Sequence, residues 1–580
     1  MERQILFLFG GQACIPSDPL LAAKRLGYRT AVMGPSIPCG VAADTVDQFE
    51  RVRLGRPEEV VEAARYLHGR HPLAGVVGYD DEAVPLVARV AAALQLPGHP
   101  VTAADAARDK ALMKERFAAA GLPIARYTVA ADEDAAVAWA STTGYPVVVK
   151  PVRGSASQGV IRADTELDLR QAYRRLRRIV REHGLDTGGR SDSEQLVEGY
   201  LDGAEISVEL LLRDGEPQVL CLFEKPQPLH GPFFEETIYV TPTSLAPRVR
   251  AQAENLAMRA AKAVGLRTGL AHCEIRLAST GPHVLEIAGR VIGGACSRVF
   301  RSVLGEDIHT SIIRLAVGES FPLPQQQAQA AGAMMLPIPD EGRLVAVRGI
   351  EHARQVSGIQ DVIVTAEPGD IIVPFPEQSC YVGFLTAQAE TPAAVAAALA
   401  QAAAAISLDL EPIACESWTR QLADQRGFEP PAALGIHSLA GLSVDDARAV
   451  VVPLVAATHF AELPHDLALE EARLCVGWLE GGNRGETSPA AWFVADGQGV
   501  ALGSFADGVC YISCLGVVPG HGRSGLGEAL VRSVMAAGAA RGCMSMEEFA
   551  DPRHTAGMGL FERLGFARTD TDACSCCSTC

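Results

Sequence analysis

Residues 271–294, AHCEIRLASTGPHVLEIAGRVIGG, contain the pattern that decides the fold. Apolar and polar side chains alternate with a period of two before and after Gly281-Pro282, which predicts a β-hairpin with an apolar back and a charged front. The apolar face is expected to carry Cys273, Ile275, Leu277, Leu285 and Ile287. The opposite face is expected to carry His272, Glu274, Arg276, Glu286, Ala288 and Arg290.

The charged face of this hairpin brings two carboxylates together. Such groups repel each other unless a cation lies between them, and Mg²⁺ prefers oxygen ligands such as one or two carboxylates plus phosphate oxygens. We therefore predict that Glu274 and Glu286 hold Mg²⁺, or Mn²⁺, beside a nucleotide, and that Arg290 meets an anion. The pattern leaves one alternative open, namely two solvated glutamates on an exposed sheet face.

The size and charge of the chain limit the protein classes to consider. A chain of 580 residues is expected to hold several domains, because one core stops growing beyond roughly 250–300 residues. The net charge of −18 argues against a nucleic-acid partner, which requires a basic surface. The densest basic run, 170–181, is interpreted as the solvent-exposed face of an amphipathic helix. No run of about 18 apolar residues occurs, so neither a membrane span nor a membrane partner is expected.

Two features favour a cytoplasmic location. Ile5–Phe9 is too short for the apolar core of a signal peptide, and Gly10-Gly11 follows it at once. Fifteen cysteines without a secretion signal favour reduced thiols over disulfides.

Residues 1–100 alternate apolar strands with helical segments. This order predicts a parallel sheet. Gly10-Gly11 is not a full dinucleotide fingerprint, so no NAD site is predicted. Strands are predicted at Ile5–Phe9, Thr30–Met33 and Gly75–Gly78, and helices at Pro19–Leu26, Pro57–His68 and Glu82–Leu94.

A glycine- and serine-rich segment, RGSASQGV (153–160), follows a helix that opens at Asp109-Lys110 and a β-branched strand that ends in Lys150. Glycine and serine allow backbone N–H groups to approach phosphate oxygens, and such a loop can move as a lid. Lys150 would add a point charge on the phosphates. An ordinary flexible hairpin is the alternative. No G-x-x-x-x-G-K-[ST] sequence occurs, so a P-loop enzyme is excluded.

Two further segments are candidates for ligand contacts. Residues 194–212 predict two strands around a turn at Asp202-Gly203, where the strand edge 197–201 can offer backbone groups to adenine and Glu205 can hold ribose hydroxyls. Residues 227–243 predict a loop in which His230 and Glu236 recognise a substrate, although a proline-bounded surface loop explains the same residues.

The order of these parts resembles the ATP-grasp superfamily over roughly residues 1–412. It is most similar to carboxylate–amine ligases of the L-amino-acid ligase and carnosine synthase type, whose signatures resemble TGLAHCE (268–274) and EIAGR (286–290). The resemblance implies mixed α/β and α+β domains. These are a parallel-sheet N-terminal domain at 1–100, an ATP-grasp core of two α+β subdomains at 101–320, and a C-terminal subdomain at 321–412 that covers the substrate cleft.

The resemblance also implies a role for individual residues. Many ATP-grasp enzymes carry Asn two residues after the second metal-binding Glu, whereas this chain has Ala288, so the resemblance implies one protein ligand fewer for the second metal. The implied ATP contacts are Lys110, Lys150, Gly154, Ser155, Ser157 and Gly159 at the phosphates, Glu198, Tyr200 and Leu201 at adenine, and Glu205 at the ribose. The implied metal ligands are Glu274 and Glu286, the catalytic residues Arg290 and Lys150, and the substrate contacts His230, Glu236 and His272.

A different pattern follows residues 413–435, which are interpreted as a linker. A helix is predicted at Val444–Thr458 and strands at Ala490–Ala495, Val500–Phe505 and Val509–Val517. The glycine-rich segment PGHGRSGLG (519–527) then leads into a helix that ends at Ala540. A glycine-rich turn at a helix N-terminus exposes several N–H donors to a diphosphate.

Residues 436–570 resemble GNAT-type N-acetyltransferases, a mixed α/β fold whose implied cofactor is acetyl-CoA. Two departures weaken catalysis, since Gly522 replaces a usual Gln or Arg and Phe561 replaces a frequent general-acid tyrosine. Binding of acyl-CoA as a regulator of the ligase is therefore the alternative. The implied contacts are Leu515 and Val517 with the pantetheine, and Gly522, Arg523, Ser524, Gly525 and Gly527 with the diphosphate.

The last ten residues, 571–580, hold four cysteines within seven positions and are interpreted as a frayed, reduced terminus, with metal binding as the alternative. The expected protein is a bifunctional enzyme. It would ligate a small-molecule carboxylate, such as an amino acid, to an amine with ATP, and would acetylate an amine with acetyl-CoA. A ligase that uses bicarbonate or another acid is the alternative, and homo-oligomer formation stays open.

Overall fold

The computed structural model divides the chain into two compact units, Met1–Glu411 and Pro412–Cys580. In the first unit it describes residues 3–10, 17–38, 41–185, 187–191, 193–227, 229–325, 327, 329–379 and 381–411. In the second unit it describes residues 416–421, 436–438, 451, 491–495, 498–506, 509–517, 526–540, 545–550, 564 and 567–569.

The N-terminal domain is built on a parallel sheet of order β3-β2-β1-β4, as predicted. Every residue of β1 is buried, which explains the continuous apolar run Ile5–Leu8. β3 was missed because its sequence, QFER, is short and half-exposed. The elements are β1 (Gln4–Leu8), α1 (Ser17–Arg25), β2 (Arg29–Gly34), a 3₁₀ turn (Ala43–Thr45), β3 (Gln48–Arg51), α2 (Pro57–Arg70), β4 (Leu73–Gly78) and α3 (Ala83–Leu94).

Two short helices, α4 (Val101–Arg108) and α5 (Lys110–Ala119), lead to the next sheet. The side chain of Asp109 accepts a hydrogen bond from the Leu112 amide at 3.0 Å and caps α5. Lys110 and Lys114 follow one turn apart on a buried side of α5.

A separate subdomain, called the lid here, comprises residues 127–199 and carries the glycine- and serine-rich loop. Its four-stranded antiparallel sheet has the order β5-β8-β6-β7. Helices α6 and α7 cover the sheet with the apolar faces that include Ala136, Leu169 and Leu176. The elements are β5 (Tyr127–Ala130), α6 (Glu133–Thr143), β6 (Val147–Lys150), β7 (Ile161–Ala163), α7 (Glu166–Glu182) and β8 (Gln195–Gly199).

An eight-stranded antiparallel sheet forms the floor beneath the lid, in the order β13-β12-β9-β10-β11-β14-β18-β16. The two strands predicted around Asp202-Gly203 exist, but β8 belongs to the lid and β9 to this larger sheet. The elements up to residue 316 are β9 (Ala204–Arg213), β10 (Glu216–Glu224), β11 (Ile238–Thr241), α8 (Pro247–Val264), β12 (Gly269–Ala278), β13 (Gly281–Ala288), α9 (Cys296–Leu304) and α10 (Ile308–Ala316).

The C-terminal subdomain shares this sheet, because β14, β18 and β16 extend it, and it adds a small sheet of order β17-β15-β19. The predicted Ala-rich helix is present as α12. The elements are β14 (Ala330–Met335), β15 (Gly342–Arg348), α11 (Ile350–Arg354), β16 (Ile359–Val364), β17 (Ile371–Ile372), β18 (Gly383–Ala389), α12 (Pro392–Ala404) and β19 (Ser407–Glu411).

The second unit contains a seven-stranded sheet of order β21-β22-β23-β24-β25-β20-β26. The predicted linker is wrong at β20, which lies inside 413–435 and pairs with both β25 and β26. The elements are β20 (Glu416–Gln421), β21 (Ile436–Ser438), β22 (Ala491–Ala495), β23 (Gly499–Ala506), β24 (Val509–Val517), α13 (Leu526–Ala540), β25 (Ser545–Ala550) and β26 (Ala567–Thr569).

Several predictions for this unit lie outside the described residues. They are the helix at 444–458 apart from Val451, the segment Gly522–Gly525, Phe561 and the cysteine-rich tail 571–580. Among the helices that the structure does describe, none has the length and apolarity that a membrane span requires.

Candidate active site

A cleft of about 740 Å³, including its open mouth, lies between the lid and the eight-stranded sheet. Lid residues on one wall include the glycine- and serine-rich loop, and the opposite wall is formed by the hairpin β12–β13. The lining residues are Lys110, Val148, Lys150, Pro151, Gly154, Ser155, Ser157, Gln158, Val160, Glu198, Gly199, Tyr200, Leu201, Glu205, Phe234, Glu236, Glu274, Arg276, Leu285 and Glu286.

The predicted hairpin is present, and it places Glu274 directly opposite Glu286 across the β12–β13 pair. The register shifts after Glu274, so that Ile275 is paired with Val284. This bulge makes Val284 the buried core residue and sends Leu285 to the cleft with Glu286. The predicted apolar face was therefore wrong at Leu285, because strict alternation assumes a regular ladder.

Lys110 connects the hairpin to the lid loop. Its ammonium lies 3.1 Å from a carboxylate oxygen of Glu286 and donates to the carbonyl oxygen of Gly154 at 2.9 Å. Lys110, which was predicted to bind the phosphates, therefore contacts both walls of the cleft.

Glu198 is held by two lysines rather than facing solvent. Its Oε1 lies 3.0 Å from Nζ of Lys150 and 3.0 Å from Nζ of Lys114. Burial would raise the pKa of Glu198, but the two ammonium groups hold that pKa below its usual value. Lys114 is only 1% exposed and was missed by the sequence analysis, although its position one turn after Lys110 was a usable signal.

Lys225 is a second missed cation. Its ammonium contacts the carboxylates of Glu205, Glu236 and Glu274, the last at 2.9 Å. Burial would lower the pKa of Lys225, but the three carboxylates raise it well above its usual value. Burial raises the pKa of Glu236 to about 8, with Lys225 acting in the opposite direction. One oxygen from each of the three carboxylates lies within 4.8 Å of the others, which is a spacing that suits a metal ion.

His272 lies behind the metal-pair candidate rather than in the cleft. Its Nδ1 is 2.6 Å from Glu209 and its Nε2 is 3.3 Å from Glu274. Burial would lower the pKa of His272, but the two carboxylates raise it to about 10. The imidazole is therefore positioned to orient Glu274, and it does not line the cleft as the predicted substrate contact would.

Arg290 lies beyond the end of β13 and reaches the N-terminal domain. Its Nη2 and Nε bind the Asp81 carboxylate at 2.6 and 3.1 Å. Burial would lower its pKa, but Asp81 raises it. Arg290 is not among the cleft-lining residues, so its predicted contact with the reacting phosphoryl group stays a prediction.

Two other predicted contacts are not among the cleft-lining residues. His230 is exposed, and its backbone carbonyl accepts a hydrogen bond from Arg162 at 2.7 Å. Gly159 has φ +70°, and a Cβ atom there would lie 2.5 Å from Leu176, so its glycine serves packing against α7. The remaining predicted ATP, metal and substrate residues line the cleft.

The second unit shows a gap between two parallel strands. Val509–Tyr511 of β24 pairs with Ser545–Glu547 of β25. Both strands extend further, to Val517 and Ala550, but within the described residues they do not pair with each other beyond this point. Leu515 and Val517 lie on the part of β24 beyond this pairing, and within the described residues they pair with β23. Gly527 lies in the first turn of α13, which contacts β23 and β24.

Family models match four parts of the chain. They describe an ATP-grasp N-terminal domain at residues 20–98, an ATP-grasp domain at 143–299, an L-amino acid ligase C-terminal domain 2 at 334–411, and the acetyltransferase (GNAT) family at 456–566. The chain belongs to the ATP-grasp superfamily and also carries a GNAT acetyltransferase domain.

Similar proteins agree with this assignment. Carnosine synthase 1 of Gallus gallus is 28% identical over 370 residues, which span 60% of this chain but only 39% of that protein. The uncharacterized protein y4rH of Sinorhizobium fredii is 25% identical over 416 residues, 70% of this chain and 82% of that protein. The crystal structure of an L-amino acid ligase from Bacillus licheniformis has a TM-score of 0.60 at 23% identity, covering 71% of this chain and all of that structure, and supports the fold.

Proposed function

We propose that the first unit joins a carboxylate to an amine with ATP, giving an amide, ADP and phosphate. A carboxylate oxygen of the substrate attacks the γ-phosphorus. The bond between the γ-phosphorus and the oxygen that bridges it to the β-phosphorus breaks, and ADP is released. The amine nitrogen then attacks the carbonyl carbon of the acyl phosphate, the carbon–oxygen bond to phosphate breaks, and the nitrogen loses a proton.

The observation that carries this proposal is the joint presence of two lysines, the glycine- and serine-rich loop and the Glu274–Glu286 pair around one cleft. Phosphoryl transfer requires positioning and neutralisation of charge rather than covalent help from the protein. Lys110 and Lys150 supply two fixed positive charges, and the loop supplies backbone N–H groups.

The donor set fits a hard divalent cation. Glu274 and Glu286 face each other across the hairpin, whereas the neighbouring oxygens of Glu205 and Glu236 are occupied by the ammonium of Lys225. Mg²⁺ held there would neutralise charge on the β- and γ-phosphates. The positive charge of Lys225 would offset the negative charges of the other carboxylates, so that three acidic side chains can lie close together in a buried site.

We propose an amino acid as the carboxylate substrate. Glu236 lies on the cleft wall and already accepts hydrogen bonds from Lys225 and Tyr239. The positive charge of an α-ammonium group beside it would favour the ionised form of Glu236 and would supply a further donor. The names of the relatives, an amino acid ligase and carnosine synthase, are consistent with this choice. Bicarbonate or another acid lacking an ammonium group would leave Glu236 without this partner.

A screen of amino-acid pairs for ATP-dependent phosphate release, with mass detection of the products, tests this function. We expect Glu286→Gln to lose about 10²–10³ in kcat while the fold survives, because such a group stabilises charge in the transition state. Glu216→Gln is the matched control, since Glu216 is exposed on β10 and pairs only at the surface with Lys262. Near-normal turnover of Glu286→Gln would contradict the site assignment.

For the second unit we propose acetyl-CoA-dependent N-acetylation of the amine substrate or of the ligation product. Among the described residues, no strand other than β23 pairs with β24 at Leu515 and Val517, so an extended pantetheine arm can add backbone hydrogen bonds along that edge. Assay of CoA release with candidate amines tests this activity. Acetyl-CoA binding without CoA release would instead support regulation of the ligase.

A further inference from the structure

The lid loop is attached to the C-terminal subdomain by two hydrogen bonds to the backbone. The Gly159 amide donates to the carbonyl oxygen of Pro376 at 2.9 Å, and Gln158 Nε2 donates to the carbonyl oxygen of Glu377 at 2.6 Å. Gln158 is itself buried and lines the cleft next to Ser157. The position of the cleft wall is therefore coupled to the turn that contains Pro376 and Glu377.

The side chain of Glu377 adds a charged attachment to the same lid. Arg175 of α7 binds it in a bidentate way, with Nε–Oε1 at 2.7 Å and Nη2–Oε2 at 2.8 Å, and Arg178 approaches Oε1 at 3.4 Å. Glu377 is 5% exposed, and Arg175 also stacks over the ring of Phe233 at 4.8 Å. Such paired, partly desolvated contacts are stronger than ordinary surface ion pairs.

These contacts correct one prediction from the sequence. The basic run 170–181 was interpreted as a solvent-exposed helix face, yet Arg175 and Arg178 bind the C-terminal subdomain. Arg174 binds Glu133 of α6, within the lid. Both Arg174–Glu133 and Arg175–Glu377 are arginine–carboxylate pairs on helix α7, but of these two only the pair with Glu377 joins the lid to another subdomain.

We propose that Glu377 is a positioning residue for nucleotide binding. Through Arg175 and the carbonyl groups of the turn, it holds the loop 153–160 over the cleft, so that the C-terminal subdomain sets the affinity for the nucleotide. This inference rests on the proposed function of the cleft. The loop is displaced when the contact is lost, and the backbone N–H groups are then no longer arranged around the phosphates before the nucleotide arrives.

The test compares Glu377→Gln with Glu133→Gln in the full-length protein. Glutamine keeps the shape of each side chain and removes its charge, and Glu133 is a matched control because Arg174 binds it with the same bidentate geometry, Nε at 2.7 Å and Nη2 at 2.9 Å. Two quantities are measured, namely hydrogen exchange of the amides in 153–160 without ligand, and the dissociation constant of MgADP.

We expect Glu377→Gln to accelerate exchange in 153–160 and to weaken MgADP binding about tenfold, within the range typical of coupling between sites. Glu377→Asp should recover part of the affinity, and Glu133→Gln should match the wild type within about twofold. Arg175→Gln combined with Glu377→Gln should weaken MgADP binding by less than the product of the two single effects, because both changes remove the Arg175–Glu377 contact, although Arg175→Gln also removes the stacking on Phe233.

If hydrogen exchange of the amides in 153–160 were unchanged in Glu377→Gln, this result alone would overturn the proposal that Glu377 holds the loop. Faster exchange with unchanged MgADP affinity would overturn its role in nucleotide binding. If wild-type protein bound no MgADP at all, the proposed function would fail, and the nucleotide part of this inference with it, whereas the exchange result would still decide whether Glu377 holds the loop.

Discussion

Glu198→Gln is the sharpest test of the charge arrangement at the cleft. One oxygen of Glu198 lies 3.0 Å from Nζ of both Lys114 and Lys150, and both lysines are buried. Because both nitrogens lie 3.0 Å from one oxygen, they are at most about 6 Å apart, where two positive charges repel by about 3 kcal/mol at an effective dielectric constant of about 20. Glutamine keeps the size of the side chain and removes the charge that offsets this repulsion.

The expected cost follows from leaving buried charges without their partner, which is about 3–5 kcal/mol. Burial and the nearby Lys150 already lower the pKa of Lys114, and the loss of Glu198 removes the group that opposes them. The pKa of Lys114 should then fall further, so that the unfolded state binds more protons than the native state. Stability therefore rises with pH, and the destabilisation should shrink between about pH 7 and pH 10.

Hydrogen exchange of β8 in the full-length protein measures this change without assuming that both units unfold together. A loss of 3 kcal/mol or more corresponds to at least about 100-fold faster exchange. The control is the double variant Lys114→Met, Glu198→Gln, in which one of the two lysine charges left without a partner is also removed. This double variant should be less destabilised than Glu198→Gln alone. Unchanged exchange in the single variant, or slower exchange in the single than in the double variant, would refute the reasoning.

Three further predictions concern other parts of the first unit. Arg290→Ala should lower the rate of ligation by about 10²–10³ in a phosphate-release assay without unfolding the protein, and near-normal turnover would remove Arg290 from the site. Burial lowers the pKa of His99 to about 4, so the unfolded state takes up a proton first on acidification, and stability should fall by about 1.6 kcal/mol between pH 6.5 and pH 5. Urea denaturation should show a smaller pH effect in His99→Gln, and an equal effect would contradict this cause. Gly203→Ala should cost about 1–3 kcal/mol more than Gly281→Ala, because both have positive φ but only at Gly203 would the new Cβ lie 2.0 Å from the Leu277 carbonyl oxygen; equal melting temperatures would contradict this.

Local patterns were sufficient to predict the elements that carry the cleft. The alternation on both sides of Gly281-Pro282 predicted the hairpin and the opposition of Glu274 and Glu286, because strand geometry has a fixed period. The strand that ends in Lys150 was predicted from its run of β-branched valines. The bulge that turns Leu285 into the cleft was not predictable, since it depends on how two strands pair rather than on either sequence.

Contacts between distant segments account for the other differences. Lys225 is a single lysine in a segment that the sequence analysis did not single out, and its importance appears only when three carboxylates from other segments surround it. Glu377 lies about 200 residues after Arg175, so the solvent-exposed interpretation of the basic run had no local evidence against it. Charge pairs of this kind are set by tertiary structure and not by spacing along the chain.

The most direct test of the central claim uses a carboxylate substrate labelled with ¹⁸O, once the phosphate-release screen has identified the substrate. If the carboxylate oxygen attacks the γ-phosphorus, that oxygen leaves with the phosphate when the amine attacks the acyl carbon. We expect one ¹⁸O atom in each molecule of inorganic phosphate, with unlabelled ADP, and the same labelling ratio at lower yield in Glu286→Gln. Amide formation with no ¹⁸O in the phosphate would contradict an acyl phosphate and, with it, the proposed ligase mechanism.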